Sequence, residues 1–524
     1  MEGRHPRARL AELVAALSLG VDLGFGQPME HVLRQCLIAL RLAERTGLGE
    51  QDRAVVYYTA LLVNVGCHAD AHEQAKWFGD DITLKAGKYT HEFRSVRGAL
   101  AAMRLVGAGN PPLYRFRAGL EFALSGHREV DGMIAQHARL AQALADQLGL
   151  PGSVRAAVGA AYEQWDGRGW PGDLKAEAVP VASRIAQLAE FMEVAQRVRG
   201  VAGAQALARS RSGRQFDPSL AALLCADADE IFADLGTVPA WQAVITAEPA
   251  LAVELSPAEL DGALTAIANF VDLKSPFTLG HSVAVAELAE HAGCTLGWPA
   301  EKTELIRRAG LVYGYGRLGV SNSIWDRPGP LSVGEWERVR MSPYLTERIL
   351  RQSAALAPLG EIAVQHRERL DGSGYPRGLS GGAISVLARV LGAADAYQSM
   401  REPRPYRPAR SAEDAMAELR GEVRAGRLDG TAVDAVLDAA GHRVPRRRTA
   451  VAGLTAREVE VLILLARGLS NKQIAARLVI TPKTAGNHVE HIYAKTGSSS
   501  RAAAAMFAVR HGLLPEEEIA VPAR

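Results

Sequence analysis

The sequence predicts an all-α protein. Of its 524 residues, 48% are hydrophobic but only 6% are aromatic, which is typical of an Ala- and Leu-rich helical protein with extensive cores. The C-terminal region of about sixty residues carries the start and stop signals of successive helices, and the region before it repeats itself. A chain of this length accommodates three domains.

Two capping boxes mark helix starts near the C-terminus. Thr455 and Glu458 stand three residues apart before an apolar run of helical spacing, which ends at Gly468. Ser470 and Gln473 repeat the arrangement before a second apolar segment. Each pair satisfies free backbone N–H groups at a helix start, so we expect two short helices separated by a tight turn.

A third helix follows at once. Thr481 is a suitable N-cap, and Pro482 occupies the first helical position, where a missing N–H costs nothing. Two short helices joined by a tight turn are typical of a helix-turn-helix, whose second helix enters the major groove of DNA. We therefore expect double-stranded DNA as a partner.

The charge distribution agrees with this expectation. Residues 445–514 contain eleven Lys and Arg against three Glu, a net charge of +8, whereas residues 515–524 carry −2 and residues 1–444 carry −4. Basic charge is therefore concentrated where duplex DNA would lie. We expect a basic linker at 444–452, a DNA-binding domain at 453–514 and an acidic tail at 515–524.

These C-terminal residues resemble the LuxR-type (GerE-type) helix-turn-helix. The resemblance lies in Leu454-Thr-Ala-Arg-Glu, Gly468-Leu-Ser-Asn-Lys-Gln-Ile-Ala and Lys495-Thr-Gly-Ser-Ser-Ser-Arg501. It implies a four-helix domain that binds two-fold DNA half-sites as a homodimer. The positions that it implies for DNA binding are Lys472, Thr481, Lys483, Thr484, Gly486, Asn487, His488, Glu490, Lys495, Ser499 and Arg501. The family often has basic residues in place of Gly486 and Glu490, so we expect modest affinity that depends on dimerisation.

No feature of the sequence indicates export or membrane insertion. The four Cys, at positions 36, 67, 225 and 294, form no CxxC pair, which fits a reducing cytosol. The N-terminal apolar stretch is short and is broken by Glu12 and Asp22, unlike a signal peptide, and no apolar run reaches transmembrane length. We expect a cytoplasmic protein without a membrane partner, located at the nucleoid when bound to DNA.

The region before the DNA-binding domain is duplicated. Asp166-Gly-Arg-Gly-Trp-Pro171 matches Asp371-Gly-Ser-Gly-Tyr-Pro376 at an offset of 205, whereas His31 matches His281 at an offset of 250. The difference corresponds to an insertion of 45 residues in the first copy, at about 68–112. Self-similarity at a fixed offset marks duplicated domains. We therefore expect domains at 1–244 and 245–443.

Several segments of the second copy resemble the HD-GYP family. They are Asp272-Leu-Lys-Ser-Pro-Phe-Thr-Leu-Gly-His281, Arg327-Pro-Gly-Pro-Leu-Ser332, Asp371-Gly-Ser-Gly-Tyr-Pro376 and Arg404-Pro-Tyr-Arg407. The resemblance implies a helical, metal-dependent phosphohydrolase fold that typically cleaves cyclic dinucleotides. It extends more weakly to the first copy, so we expect two tandem HD-type helical domains.

The metal ligands that this resemblance implies are incomplete in both copies. The family's central His-Asp pair is replaced by Tyr313-Gly314 in the second copy and by Val63-Asn64 in the first. Further replacements are Ser342 and Arg367 in the second copy and Ala161-Tyr162 in the first, and Arg317 stands at the position of a family lysine. The retained positions are His281, His366, Asp395, His31, His137 and Glu190. Without ligands to hold the metal ions, no metal-bound water can attack a phosphate. The sequence therefore predicts that the protein is not an enzyme.

Two further hypotheses concern the second copy. His281, His366 and Asp395 form a workable ligand set for one residual divalent metal, although ordinary buried, hydrogen-bonded polar groups are the simpler interpretation. Alternatively, Arg317 and Arg367 favour a pocket that binds a phosphate or another anion.

The first copy contains weaker metal candidates. Cys67, His68 and His72 are metal-capable residues at close spacing, but the spacing matches no zinc motif, so a polar segment is expected there. His31 and His137 are isolated histidines of the same kind.

These observations predict a one-component transcription regulator. Its degenerate HD-type modules would sense a small-molecule or nucleotide ligand, hold a homodimer, or do both, and its C-terminal domain would bind DNA. The alternative function is a metal-dependent cyclic dinucleotide phosphodiesterase fused to a DNA-binding domain. No cofactor is expected apart from the residual divalent metal.

Overall fold

The computed structural model describes residues 8–89, 103–107, 112–122, 127–250, 253–442, 453–510 and 513. Within these ranges the protein is helical, with isolated β-bridges but no strand, which confirms the predicted all-α class. No helix in this part of the chain combines the length and apolar character needed to cross a bilayer. The predicted linker, the acidic tail and much of the insertion lie outside the described residues.

The chain forms two compact units, residues 1–442 and 443–524. Both predicted HD-type domains lie within the first unit, and the boundary between them remains a prediction. The α-helices of the first copy are α1 Leu10–Gly24, α2 His31–Arg45, α3 Glu50–Leu62, α4 Ala71–Phe78, α5 Asp81–Ala86, α6 Pro112–Glu121, α7 His127–Gln147, α8 Gly152–Gly159, α9 Val181–Arg211, α10 Pro218–Ala226, α11 Ala228–Ile231 and α12 Ala240–Thr246.

The second copy follows in the same unit. Its α-helices are α13 Pro257–Asp272, α14 His281–Thr295, α15 Ala300–Val312, α16 Asn322–Trp325, α17 Val333–Leu350, α18 Ala357–Ala363, α19 Val386–Arg401, α20 Ala412–Arg424 and α21 Gly430–Ala439. Short 3₁₀ helices lie at Val65–His68, Gly87–Tyr89, Ala176–Ala178, Tyr315–Gly319 and Gly381–Ala383.

Equivalent contacts recur in the two copies. Arg184 and Arg389, which are 205 residues apart, each donate from Nε at 3.0 Å to the backbone carbonyl five residues earlier. Each also donates from Nη1 to an aspartate that caps a later helix, namely Asp217 at α10 and Asp429 at α21. A repeated arginine therefore links the segment before α9 or α19 to the start of a later helix in both copies, as the sequence repeat predicts.

The insertion of the first copy packs against the second copy. Asp81 at the start of α5 is buried and pairs with Lys85 at 3.0 Å and with Lys274 at 3.5 Å. Its other oxygen accepts hydrogen bonds from the Ser321 hydroxyl at 2.8 Å and the Asn322 amide at 2.9 Å. Because buried charges are tolerated only when paired and hydrogen-bonded, this network ties the insertion to residues 274–322.

The C-terminal unit contains α22 Ala456–Ala466, α23 Asn471–Leu478, α24 Pro482–Thr496 and α25 Arg501–Arg510. Both predicted capping boxes are present, and the Thr481 side chain accepts from the Thr484 amide at 3.1 Å to cap α24. The apolar faces of the four helices meet in one core, which includes Leu462, Ile474 and Ile492. The predicted four-helix arrangement is therefore confirmed.

Candidate functional site

A buried carboxylate, Asp395 of α19, lies at the centre of the candidate site in the second copy. Its Oδ2 is 3.0 Å from Arg367 Nη2. Its Oδ1 accepts from the Tyr313 hydroxyl at 3.0 Å and lies 3.2 Å from His281 Nε2. Burial alone would raise the pKa of Asp395, but Arg367 and His281 hold that pKa well below its usual range. Asp395 is therefore a carboxylate that already has cationic and hydroxyl partners.

The two retained histidines of this copy have different surroundings. His281 Nδ1 lies 2.7 Å from Glu402, on the side of the ring opposite Asp395. His366 Nδ1 lies 2.7 Å from the backbone carbonyl three residues earlier, and its ring packs edge-on against Tyr313 with centroids 4.8 Å apart. Burial lowers the pKa of His366 to about 3, so its ring is neutral at pH 7. Among the described residues, His281, His366 and Asp395 are therefore not grouped so as to hold a metal ion.

Arginines line the same site. The Arg317 guanidinium lies beside the rings of Tyr313 and Trp325, at 5.3 and 5.9 Å from their centroids, and its Nη2 is 3.9 Å from Asp395. Its Nη1 is buried and has no hydrogen-bond partner among the described residues. Arg369 donates to the backbone carbonyl of residue 368 at 2.8 Å. Arg367, at a replaced ligand position, therefore forms a cationic cluster around Asp395 with Arg317 and Arg369.

The first copy has a carboxylate at the matching position, Glu190 of α9. Its Oε1 accepts from Lys88 Nζ at 2.7 Å, from the Asn64 amide at 2.7 Å and from the Tyr89 hydroxyl at 3.0 Å. Four aromatic rings surround Lys88 Nζ with centroids 5.4–5.8 Å away, namely those of Phe25, Tyr89, Tyr162 and Phe191. In each copy, a cation of the chain itself therefore neutralises the buried carboxylate.

Sequence reasoning missed Lys88 and Tyr89. Both lie in the insertion, which has no counterpart in the second copy, so the repeat gave no reason to align them with Glu190. The lysine lies 102 positions before Glu190, and no spacing rule connects residues so far apart.

The weak metal candidates of the first copy have partners among other side chains and carbonyl groups, and Cys67 and His137 also interact with each other. His31 Nδ1 pairs with Glu193, Cys67 Sγ lies 2.9 Å from the Tyr162 hydroxyl, His68 Nε2 lies 2.6 Å from the Phe270 carbonyl, His72 Nδ1 lies 2.8 Å from Asp326, and His137 Nε2 lies 2.7 Å from Asp70. Across the described ranges, no group of three or more His, Cys, Asp or Glu is placed to hold a metal ion. The residues present do not fit the metal cluster that the resemblance implies, because Lys88 and Arg367 occupy its carboxylates.

Helix α24, the predicted recognition helix, presents a polar face. Lys483, Asn487 and Glu490 are exposed at helical spacing, whereas Thr484, Gly486 and His488 are half-buried. Lys472 of α23 and Ser499 before α25 are also exposed. These positions remain predictions as DNA contacts.

Two predicted DNA-binding cations have partners within the domain. Lys495 Nζ donates to Glu458 at 2.7 Å, and the same carboxylate accepts from the Thr455 amide in the first capping box. Arg501 donates to the Leu469 carbonyl between α22 and α23. Both side chains therefore stabilise the packing of these helices, whatever they contribute to DNA binding.

Comparison with known proteins identifies both parts of the chain. The family model described as HD domain matches residues 127–220 and 265–432, and that described as bacterial regulatory proteins, luxR family, matches residues 452–508. The chain is 31% identical to the 3'3'-cGAMP-specific phosphodiesterase 3 of Vibrio cholerae over 417 residues, which cover 78% of this chain and 90% of that protein. The chain belongs to the HD domain family. Its C-terminal unit is a luxR-family domain.

Two further relatives agree with the HD domain assignment. A cyclic di-GMP phosphodiesterase of Pseudomonas aeruginosa is 33% identical over 210 residues, covering 38% of this chain and 50% of that protein. A crystal structure of a cyclic GMP-AMP specific phosphodiesterase from V. cholerae superposes with a TM-score of 0.59 at 25% identity, covering 84% of this chain and 99% of that one.

The prediction that the chain is not an enzyme is contradicted by these comparisons. It rested on a few replaced positions, chiefly Tyr313-Gly314 and Val63-Asn64. The similarity instead extends over 417 residues to a protein named as a phosphodiesterase, and a second relative carries the same activity in its name. The comparisons therefore point to an enzyme family, although the described residues do not assemble its expected metal ligands.

Proposed function

We propose that this protein is a DNA-binding transcription regulator that takes a cyclic dinucleotide as a ligand or substrate in its HD domain region. It acts as a homodimer in the cytoplasm, at operator DNA. The proposal rests on one combination within a single chain: a luxR-family domain at 452–508, and 31% identity over 417 residues to a 3'3'-cGAMP-specific phosphodiesterase.

The chemistry of the second copy supports a nucleotide ligand. Arg317, Arg367 and Arg369 lie around one buried carboxylate, so the site carries more positive than negative charge close to Asp395. A dinucleotide that bound one arrangement of the HD domains more tightly than another would shift the population of that arrangement, and with it the spacing of the two recognition helices in a dimer.

The test uses the full-length protein. We expect 3'3'-cGAMP or cyclic di-GMP to bind in calorimetry, ATP to bind more weakly, and the bound dinucleotide to change affinity for duplex DNA selected from a random pool. Chromatography of the dinucleotide after incubation distinguishes a substrate, which is converted to a linear product, from a ligand, which is recovered intact. Absence of binding by either dinucleotide would contradict the proposal.

A matched variant separates the two activities. Lys483→Ala removes an exposed cation from the recognition helix, so we expect it to weaken DNA binding and leave dinucleotide binding unchanged. If Lys483→Ala also abolished dinucleotide binding, the assignment of the two activities to separate parts of the chain would be wrong.

A further inference from the structure

The second HD copy lacks part of the expected metal ligand set, and Arg367 stands at one of the replaced positions with Arg317 nearby. We infer that Arg317 and Arg367 bind a phosphate group of the cyclic dinucleotide directly, so that binding does not require a divalent metal ion. This inference rests on the proposed function and identifies the part of the site that recognises the phosphate.

Arg367 contacts the buried carboxylate Asp395 and is itself partly exposed to solvent. Its Nη2 lies 3.0 Å from Asp395 Oδ2, and its side chain remains 27% exposed although Asp395 is only 1% exposed. A guanidinium carries five N–H donors in a planar fork, and this ion pair uses one end of the fork. The carboxylate holds the guanidinium in place while other donors remain available to a phosphate oxygen.

Arg317 supplies a donor without an acceptor. Its Nη1 is buried and has no hydrogen-bond partner among the described residues, while its Nη2 is 3.9 Å from the shared carboxylate Asp395. The rings of Tyr313 and Trp325 beside the guanidinium restrict its position. A buried N–H of a charged group is costly without an acceptor. A phosphate oxygen is an acceptor of the right charge for this position.

Asp395 is the acid that Arg317 and Arg367 share. Glu402 is paired with His281 at 2.7 Å and with Arg404 at 2.9 Å. Asp272 accepts two hydrogen bonds from Ser282 and also interacts electrostatically with Arg317, while burial raises the pKa of its carboxyl group. Among the described acids, Asp395 is the one paired with both Arg317 and Arg367, so a bound anion would add a second shared acceptor for the two guanidinium groups.

The first copy shows why the second copy is the binding site. Lys88 donates to Glu190 and to the side-chain Oδ1 of Asn64, and the Tyr89 hydroxyl donates to the same Glu190 oxygen. Lysine, carboxylate, amide and hydroxyl thus satisfy one another in the first copy, whereas the second copy retains an unpaired guanidinium donor at Arg317. The phosphate site is therefore assigned to the second copy.

The experiment measures dinucleotide affinity of the full-length protein with EDTA and with Mn²⁺. We expect the affinities to agree within about twofold, because no bound metal takes part. Arg317→Lys and Arg367→Lys each keep the charge but lose the planar fork, so each is expected to weaken binding by about tenfold or more. Lysine at position 367 also retains a cation for Asp395, so these variants are expected to fold.

Arg389→Lys is the matched control. Arg389 is a structural arginine of the same copy that bonds to Asp429 at 2.9 Å, outside the site, so the substitution should leave dinucleotide affinity unchanged. Circular dichroism of all three variants checks that the fold is retained.

The outcomes separate this inference from the proposed function. If the unaltered protein binds the dinucleotide only with Mn²⁺, or if both arginine variants bind as tightly as the unaltered protein, the arginine site is overturned and the proposed function remains. If the unaltered protein binds no cyclic dinucleotide with or without metal, the proposed function fails and the arginine site fails with it.

Discussion

Replacing Lys88 with Met would leave the buried Glu190 carboxylate without its cation. Lys88 Nζ is 2.7 Å from Glu190 Oε1, with the lysine side chain 16% exposed and the glutamate 2%. Removing one partner of a buried ion pair costs about 3–5 kcal/mol, and the partial exposure of Lys88 places the expected loss near the lower end, at about 3 kcal/mol. Methionine preserves most of the apolar contact with the surrounding rings. The loss of stability therefore comes mainly from removal of the positive charge.

The assay is the melting temperature of the HD domain unit by calorimetry. An unfolding entropy of about 2 cal/mol/K per residue corresponds to roughly 1 °C per kcal/mol for a unit of 442 residues. We therefore expect Lys88→Met to melt about 3 °C below the unaltered protein at pH 8. Lys76→Met, which removes an exposed lysine of the same insertion, should change the melting temperature by less than about 1 °C.

The stability that the Lys88–Glu190 pair contributes depends on pH through the pKa of Glu190. Burial raises the pKa of Glu190, but Lys88 outweighs burial and lowers that pKa below its usual value in the folded protein. The pair therefore stabilises the protein above the unfolded pKa of about 4.3, and the stabilisation is lost as pH falls through the folded pKa. Without Lys88, burial raises the pKa of Glu190. Glu190 of the variant therefore becomes protonated as pH falls, and the cost of its unpaired buried charge is removed.

The difference in melting temperature between Lys88→Met and the unaltered protein should therefore shrink from pH 8 to pH 5. The double variant Lys88→Met/Glu190→Gln removes both charges and should recover most of the loss at pH 8. If Lys88→Met melts within about 1 °C of the unaltered protein at pH 8, or if the difference grows as the pH falls, then Lys88 does not stabilise the protein by neutralising Glu190.

Three further predictions concern other parts of the chain. Gly486→Arg should raise affinity for duplex DNA in a gel-shift assay because it adds a cation. It should also stabilise α24 by about 1 kcal/mol, because a Cβ at 486 has room, and Gly486→Ala should increase stability in the same way without raising DNA affinity. Val479, 90% exposed with φ of 54°, is a strained β-branched residue, so Val479→Gly should stabilise the C-terminal unit by about 1 kcal/mol in urea denaturation. Asp81→Asn leaves Lys85 and Lys274 without their shared carboxylate and should lower the melting temperature of the first unit by about 3 °C at pH 7; an unchanged value would show that this network is not stabilising.

The local signals in the sequence proved reliable because their physical causes act within one turn of helix. The capping boxes at Thr455 and Ser470 join residues only three positions apart, and both form as predicted. Lys495 and Arg501 show the limit of this reasoning. Family resemblance placed both as DNA contacts, but each also bonds within the domain, to Glu458 and to the Leu469 carbonyl.

The amino-acid sequence was sufficient to establish the helical class, the duplicated HD-type region and the luxR-type domain, because these depend on short-range periodicity and on repeated segments. It did not show which cations meet the two buried carboxylates. Lys88 reaches Glu190 across 102 positions, through an insertion that the other copy lacks. The sequence identifies Arg367 as a replaced ligand, but its ion pair with Asp395 forms only when α19 packs beside residues 366–369. Such pairings depend on distances between segments far apart in the chain, which only the packed helices define.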